Sequence, residues 1–324
     1  MKSKQNMESK IEQELQNLLK SLNSRSKLRI SKISDMLNIT RQSFHTKFSS
    51  LISRQIIKNF TININPRLGR NRMKNVILEI KTNPKEPHLV QDLIKIPQLK
   101  SLDGIFGEFS LIGLFQFKSV EQYHGILHTI DQIMTTSYFK KYQMIETIRI
   151  YKMNGIQLNK IPFDSDYELD DLDNNILEVL QEHQGLKPIS TYEVKKILNQ
   201  DLNLEISQPT IYNRIKLLEN AGIILNYSIN FNPRAIGYKG KFIVRIKPSN
   251  PSEYDDLALN LEKIKEITDL YRIGEQYGLY AVVRVKRIED FAKFIKELYN
   301  EKIEDTLTNF VLDELILYDN FTIF

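Results

Sequence analysis

The sequence predicts a mixed α+β protein made of two copies of one unit. Each copy has a three-helix, winged/helix-turn-helix head followed by a strand–helix–strand–strand–helix–strand tail. Three observations carry this reading: segments recur at a near-constant offset, the apolar spacing switches between helical and strand periods, and the charge divides unevenly along the chain. The segment Ile62-Asn63-Ile64-Asn65-Pro66 recurs as Ile229-Asn230-Phe231-Asn232-Pro233, and Gly107-Glu108 recurs as Gly274-Glu275, both 167 residues on. Lys118-Ser119-Val120-Glu121 returns as Lys286-Arg287-Ile288-Glu289 with one residue inserted. Leu15, Leu18 and Leu19 align with Ile176, Val179 and Leu180, and the second copy carries a short insertion near 199–206.

In the first head, helix 1 is expected over 10–22, helix 2 over 31–37, and helix 3 from Thr40, with Phe44, Phe48 and Leu51 on its apolar stripe. Strands are expected over 75–82, 100–106, 110–117 and 139–151, with helices over 87–96 and 119–134. The acidic run 164–171 reads as a connector. In the second head Leu172, Ile176, Leu177 and Leu180 recur at helical spacing behind Asp170 and Asp171, which can cap and charge that N-terminus. A second helix is expected over 191–198. The third begins at Ser207, with Pro209 in the tolerant first turn, buries Ile211, Ile215 and Leu218, and ends at Ala221-Gly222. The second tail repeats the first from 241 to 318. The tail order is that of a ferredoxin-like βαββαβ domain. The expected boundaries are therefore head 1–60, tail 61–153, linker 154–168, head 169–226 and tail 227–324.

The chain has 324 residues, with no cysteine, so a disulfide scaffold is excluded. No stretch is long and apolar enough for a membrane span, and a cytoplasmic protein with no membrane partner is expected. The net charge of +5 conceals an uneven distribution. Residues 1–72 hold 15 Lys+Arg and 4 Asp+Glu, a net of +11, whereas residues 164–240 hold 7 and 12, a net of −5.

A helix-turn-helix that reads DNA needs polar and basic groups on the exposed face of its third helix, to match major-groove base edges and phosphates. The first helix 3 offers Arg41, Gln42, Ser43, His45, Thr46 and Lys47; the second offers Gln208, Thr210, Tyr212, Asn213, Arg214 and Lys216. The +11 around the first head would displace several counterions from a duplex. Double-stranded DNA is the expected partner.

Leu169-Asp170-Asp171-Leu172-Asp173, then Ile176-Leu177, the run from Ser207 to Ile224, and Ile229-Asn230-Phe231-Asn232-Pro233 resemble the Lrp/AsnC family of transcription regulators. The first unit is similar through Asn65-Pro66, Leu68-Gly69 and Gly107-Glu108-Phe109. The resemblance implies a DNA-binding head, a ferredoxin-like (RAM-type) tail that self-associates, and an amino-acid or other small-molecule effector held near the tail turns. Members usually carry one unit per chain, so this chain resembles a covalent pseudo-dimer. The resemblance places effector contacts at Gly107, Glu108, Ser110, Gly274, Glu275 and Gly278. The family's Gly-x-Tyr-Asp turn is altered, however: neither copy keeps the aspartate, and Glu108 and Glu275 are the carboxylates left there.

Tandem relatives of this architecture that decarboxylate sirohaem carry a His-Asn-Tyr run near the middle tail strands. Residues 102–109 and 270–277 contain no histidine, so neither an enzyme nor a catalytic residue is expected. Only His124 and His128 share a helix, at a spacing that could hold a metal, but they flank the stripe of Val120, Tyr123, Leu127 and Ile130. No metal and no cofactor is expected. A protein-interaction module, with only the first head on DNA, is the other alternative.

Overall fold

A computed structural model describes residues 16–20, 30–67, 73–164, 166–185, 187–201 and 205–323. The chain forms two compact units that do not follow chain order. One contains Met1–Arg70, Asn159–Gly237 and Tyr318–Phe324 in their described residues; the other contains Asn71–Leu158 and Tyr238–Leu317. The fold is mixed α+β.

The first unit gathers both heads. Strands β1 (Ile57–Ile64) and β7 (Ile224–Phe231) follow the two third helices and pair with each other as an antiparallel ribbon. The boundaries expected at 60 and 226 fall inside these strands, because each strand finds its hydrogen-bond partner in the other head. Helices α1 (Ile30–Met36) and α2 (Arg41–Ser53) are joined through Asn38, whose φ of 52° is one that Asn tolerates. Of the helix expected over 10–22, residues 16–20 are helical; the rest lies outside the described residues, as do Leu68 and Gly69. Phe44, Phe48 and Leu51 are buried as their spacing predicts, and Phe48 stacks on Phe60 of β1 at 4.8 Å between ring centroids. In the second head, α5 (Asp171–Glu182), α6 (Thr191–Asp201) and α7 (Gln208–Asn220) bury Ile176, Leu180, Val194, Leu198, Ile211, Ile215 and Leu218. Gly222 ends this head at φ 71°, and an added Cβ would stand 2.2 Å from the Pro162 carbonyl oxygen. Only glycine fits there.

In the second unit eight antiparallel strands close into a ring in the order β2, β4, β3, β11, β8, β10, β9, β5, with β5 returning to β2. These are β2 (Lys74–Lys81), β3 (Leu99–Ile105), β4 (Leu111–Phe117), β5 (Lys141–Met153), β8 (Gly240–Pro248), β9 (Ile267–Ile273), β10 (Leu279–Val285) and β11 (Ile303–Glu314). The short β6 (Ile156–Gln157) hairpins onto β5. The two longest strands complete the closure. β5 pairs with β2 through Glu146 and with β9 from Thr147, and β11 pairs with β8 through Phe310 and with β3 from Val311.

Period-two alternation sorts the side chains. Ile77, Ile105, Ile112, Ile145, Ile243, Ile273 and Val311 form the core inside the ring. Outside it, α3 (Pro87–Ile94) and α4 (Val120–Thr135) cover Val76, Leu78 and Phe115, while α8 (Tyr254–Leu261) and α9 (Asp290–Leu298) cover Val244, Ile246 and Val283. Each fully buried aliphatic side chain contributes roughly 1.5–3 kcal/mol. Ser119, expected inside α4, is its N-cap instead and accepts from the Gln122 amide at 3.1 Å.

Candidate nucleic-acid interface

Each third helix is positioned by a hydroxyl cap. The Thr40 side chain accepts from the Ser43 amide at 3.1 Å, and Ser207 accepts from the Thr210 amide at 3.3 Å. Each cap satisfies one of the helix's unpaired N–H groups and fixes which residues face outward. On α2 all six expected residues are exposed. Ser43 and Thr46 bond locally, Thr46 to the Gln42 carbonyl at 3.1 Å. The side chains of Arg41, Gln42, His45 and Lys47 make no hydrogen bond or ion pair among the described residues.

The face of α7 differs. Gln208, Thr210, Tyr212 and Asn213 are exposed, and Gln208 donates to Thr191 of α6 at 3.2 Å. Arg214 and Lys216, expected on the open face, are instead half-buried and ion-paired. Arg214 reaches Asp170 at 2.8 Å and Asp173 at 3.3 Å. Asp173 is fully buried, forms a reciprocal capping box with Asp170, and accepts from the Tyr167 hydroxyl at 3.0 Å. Burial pushes the Asp173 carboxyl above its ordinary pKa, so the nearby guanidinium offsets a charge that water cannot solvate. Lys216 pairs with Glu219, which also accepts from Tyr227 at 2.8 Å.

The ribbon of strands that follow the two helices is symmetric about the pair Thr61 and Ser228. On one side Asn63 donates to Asn226 at 2.8 Å; on the other Asn230 donates to Asn59 at 2.9 Å. Asn65 donates to the Gly222 carbonyl at 3.0 Å, fastening the end of β1 to the end of the second head.

The residues expected at the effector turns lie in the other unit. The β3–β4 turn is closed by the Ile105 amide on the Ser110 carbonyl at 2.9 Å, and the β9–β10 turn by the Ile273 amide on the Gly278 carbonyl at 2.8 Å. The two turns are thus equally long, and Glu275 stands where Gly107 stands, one place off the register that matching the Gly-Glu pairs suggests. The consequence is chemical. Glu108 is exposed and pairs with Lys141 at 2.7 Å, whereas Glu275 lies 3.2 Å from Arg245 and burial raises its pKa. Ser110 accepts from the Thr82 amide at 2.7 Å. Gly278 is confined, since an added Cβ would stand 2.1 Å from Arg272, whose guanidinium stacks 3.6 Å over Tyr254. Gly274 lies beside β5, its amide 3.3 Å from the Glu146 carbonyl.

Sequence reasoning missed the inward turn of Arg214 and a group of buried charges inside the ring. His124 and His128 lie on α4, and His128 contacts Gln132 at 3.0 Å. Among the described residues no cluster of three metal-ligating side chains occurs, and no helix is long and apolar enough to cross a membrane.

A family model described as the Lrp/AsnC ligand binding domain matches residues 241–320. The uncharacterized HTH-type transcriptional regulator PH1692 of Pyrococcus horikoshii is 32% identical over 147 residues, covering 45% of this chain and 93% of the relative. The HTH-type transcriptional regulator FL11 of Pyrococcus furiosus is 32% identical over 145 residues, covering 44% and 89%. Among solved structures, the siroheme decarboxylase NirDL aligns with a TM-score of 0.60 at 12% identity, covering 94% of this chain and 91% of that one, a likeness of fold.

Proposed function

The chain belongs to the Lrp/AsnC family, and from that premise we propose that it is a sequence-specific DNA-binding transcription regulator acting as a covalent pseudo-dimer. The observation that carries this reading is the ribbon. Its symmetric Asn pairs relate β1 and β7, the strands that follow the two third helices, by a near two-fold axis, and a two-fold relation of paired helix-turn-helix heads lets them address successive half-sites about one helical turn apart. The same symmetry, together with the recurring motifs, supports a tandem arrangement. Arg41, Gln42, Ser43, His45, Thr46 and Lys47 enter the groove from the first head, and Gln208, Thr210, Tyr212 and Asn213 from the second. Arg214 and Lys216 position the second helix rather than touch DNA.

A small-molecule effector, if bound, meets two unequal turns: the first with Glu108 and Lys141 exposed, the second closed by Arg272 over Tyr254. The reading is of a regulator rather than an enzyme. The likeness to the siroheme decarboxylase is one of fold, and residues 102–109 and 270–277 carry no histidine. Binding of the full chain to a random duplex pool at two salt concentrations tests the proposal. The expected result is a selected sequence bound with affinity that falls steeply with salt. Absence of any selected sequence would contradict it and favour the interaction-module alternative.

A further inference from the structure

Inside the ring, side chains from strands β2 and β3 meet side chains from β8, β10 and β11, and the meeting places are charged. Glu79 and Arg245, both nearly inaccessible, form an ion pair, and Gln143 also donates to Glu79. Nearby, Lys241 holds Asp103 at 2.7 Å, with Arg284 on Glu314 at 2.7 Å beside it. Ion pairs this deeply buried contribute little net stability compared with apolar packing, so their placement calls for another explanation.

Register supplies one. Leu111 opens β4 opposite Ile80 and Gly104, and Leu279 opens β10 opposite Ile246 and Arg272. Counting back one residue on each strand, Glu79 corresponds to Arg245 and Asp103 to Tyr271. Likewise Gln116 faces Asn75 where Arg284 faces Lys241. The carboxylates Glu79 and Asp103 therefore belong to the first tail, and the cations that meet them belong to the second. Because Glu79 and Arg245 are corresponding residues in mutual contact, they lie on the pseudo-two-fold axis. Whatever pairs with a copy of itself there meets its own charge.

We infer that the ring is keyed by charge, so that the first tail accepts the second tail and refuses a second copy of itself; this rests on the pseudo-dimer reading above. Two first tails would bury two copies of Glu79 and two of Asp103, with Asn75 and Gln116 where the cations stand, and a buried carboxylate without a cation is strongly disfavoured. Two second tails would set Arg245 against Arg245. There each copy keeps its own Glu275, but Lys241 meets Tyr271 in place of Asp103. The exclusion is therefore stricter for the first tail.

Full-length Glu79→Arg, Glu79→Gln and Arg245→Glu chains test this. Keying predicts that each reversal lowers the folding equilibrium constant ~100-fold or more, and that Glu79→Arg is clearly worse than Glu79→Gln. It also predicts that Glu79→Arg and Arg245→Glu chains refolded together at equal amounts recover cooperative unfolding as a two-chain species, each first tail having found an opposite charge on the other chain. Should Glu79→Arg not fold alone, the mixture still decides. Equal midpoints for Glu79→Arg and Glu79→Gln, or a mixture that behaves as the sum of its parts, would overturn the inference. A separate measurement isolates the underlying reading. Ile105→Cys with Val311→Cys, opposite each other in a chain without cysteine, should give a disulfide at single-chain mass. A disulfide only at two-chain mass would contradict the pseudo-dimer while leaving the keying, which requires only a first tail against a second.

Discussion

The two heads share their caps, their apolar stripes and their place on the ribbon, yet they use corresponding helix positions differently. Counting from the caps Thr40 and Ser207, Lys47 and Arg214 hold the same place. Lys47 is exposed without an ion pair among the described residues, whereas Arg214 is drawn inward onto Asp170 and the fully buried Asp173. A basic residue at this position of a third helix is thus not by itself left open to a partner. What decides is whether the head buries a carboxylate within its reach. Arg41 and Lys47 of the first head thus make no ion pair among the described residues, in a segment, 1–72, of net charge +11, whereas the second head commits Arg214 to its own fold.

The largest expected effect lies at this position. Arg214→Ala leaves Asp173 buried without its cation and should destabilise the second head by about 3 kcal/mol. Lys47→Ala should change stability by less than about 0.5 kcal/mol. Denaturant unfolding of the full chain distinguishes them, and equal losses would erase the contrast.

Next is the DNA contribution. Arg41→Ala with Lys47→Ala should weaken binding ~10- to 100-fold and reduce the salt slope by about two, each lost cation returning roughly one counterion to the duplex. Gln208→Ala with Asn213→Ala should leave the slope unchanged and relax base preference at one half-site, by about 1–3 kcal/mol per lost bidentate contact. Titrations at several salt concentrations separate the two outcomes.

A smaller effect is shared. Thr40→Ala and Ser207→Ala should each cost about 1 kcal/mol through the lost cap, seen as lower unfolding midpoints. The smallest is confined to the second head. Glu193 accepts from the Ser190 amide and hydroxyl, both at 2.7 Å, and also pairs with Lys187; these hold its carboxyl down to about 2. A lowered carboxyl pKa stabilises the fold above the unfolded value near 4.5, and that stability is lost as pH falls toward 2. Glu193→Gln should flatten the stability profile over that interval.

The helices and most strands were legible because burial imposes periods of 3.6 and two residues, and Phe44, Phe48 and Leu51 or Ile211, Ile215 and Leu218 display the first plainly. The partners of the strands were not. The ribbon joins Thr61 to Ser228, and the ring closes through the far halves of β5 and β11, pairings that no local pattern encodes. The inward turn of Arg214 did leave a trace. Asp173 lies one helical turn before Ile176 and Leu177, on the face that α5 buries, and a carboxylate there calls for a cation from a neighbouring helix. The Glu79–Arg245 pair left a weaker one, a lone charge within the otherwise apolar run of β2.

On the proposed reading, one chain presents two unlike DNA-reading helices to one site. Selection of binding sequences from random duplex DNA by the full chain tests it most directly. The expected operator holds two different half-sites about one helical turn apart, and exchanging Gln208 and Asn213 for alanine should alter only one of them. A perfect palindrome within that span would contradict two unlike reading helices on one site.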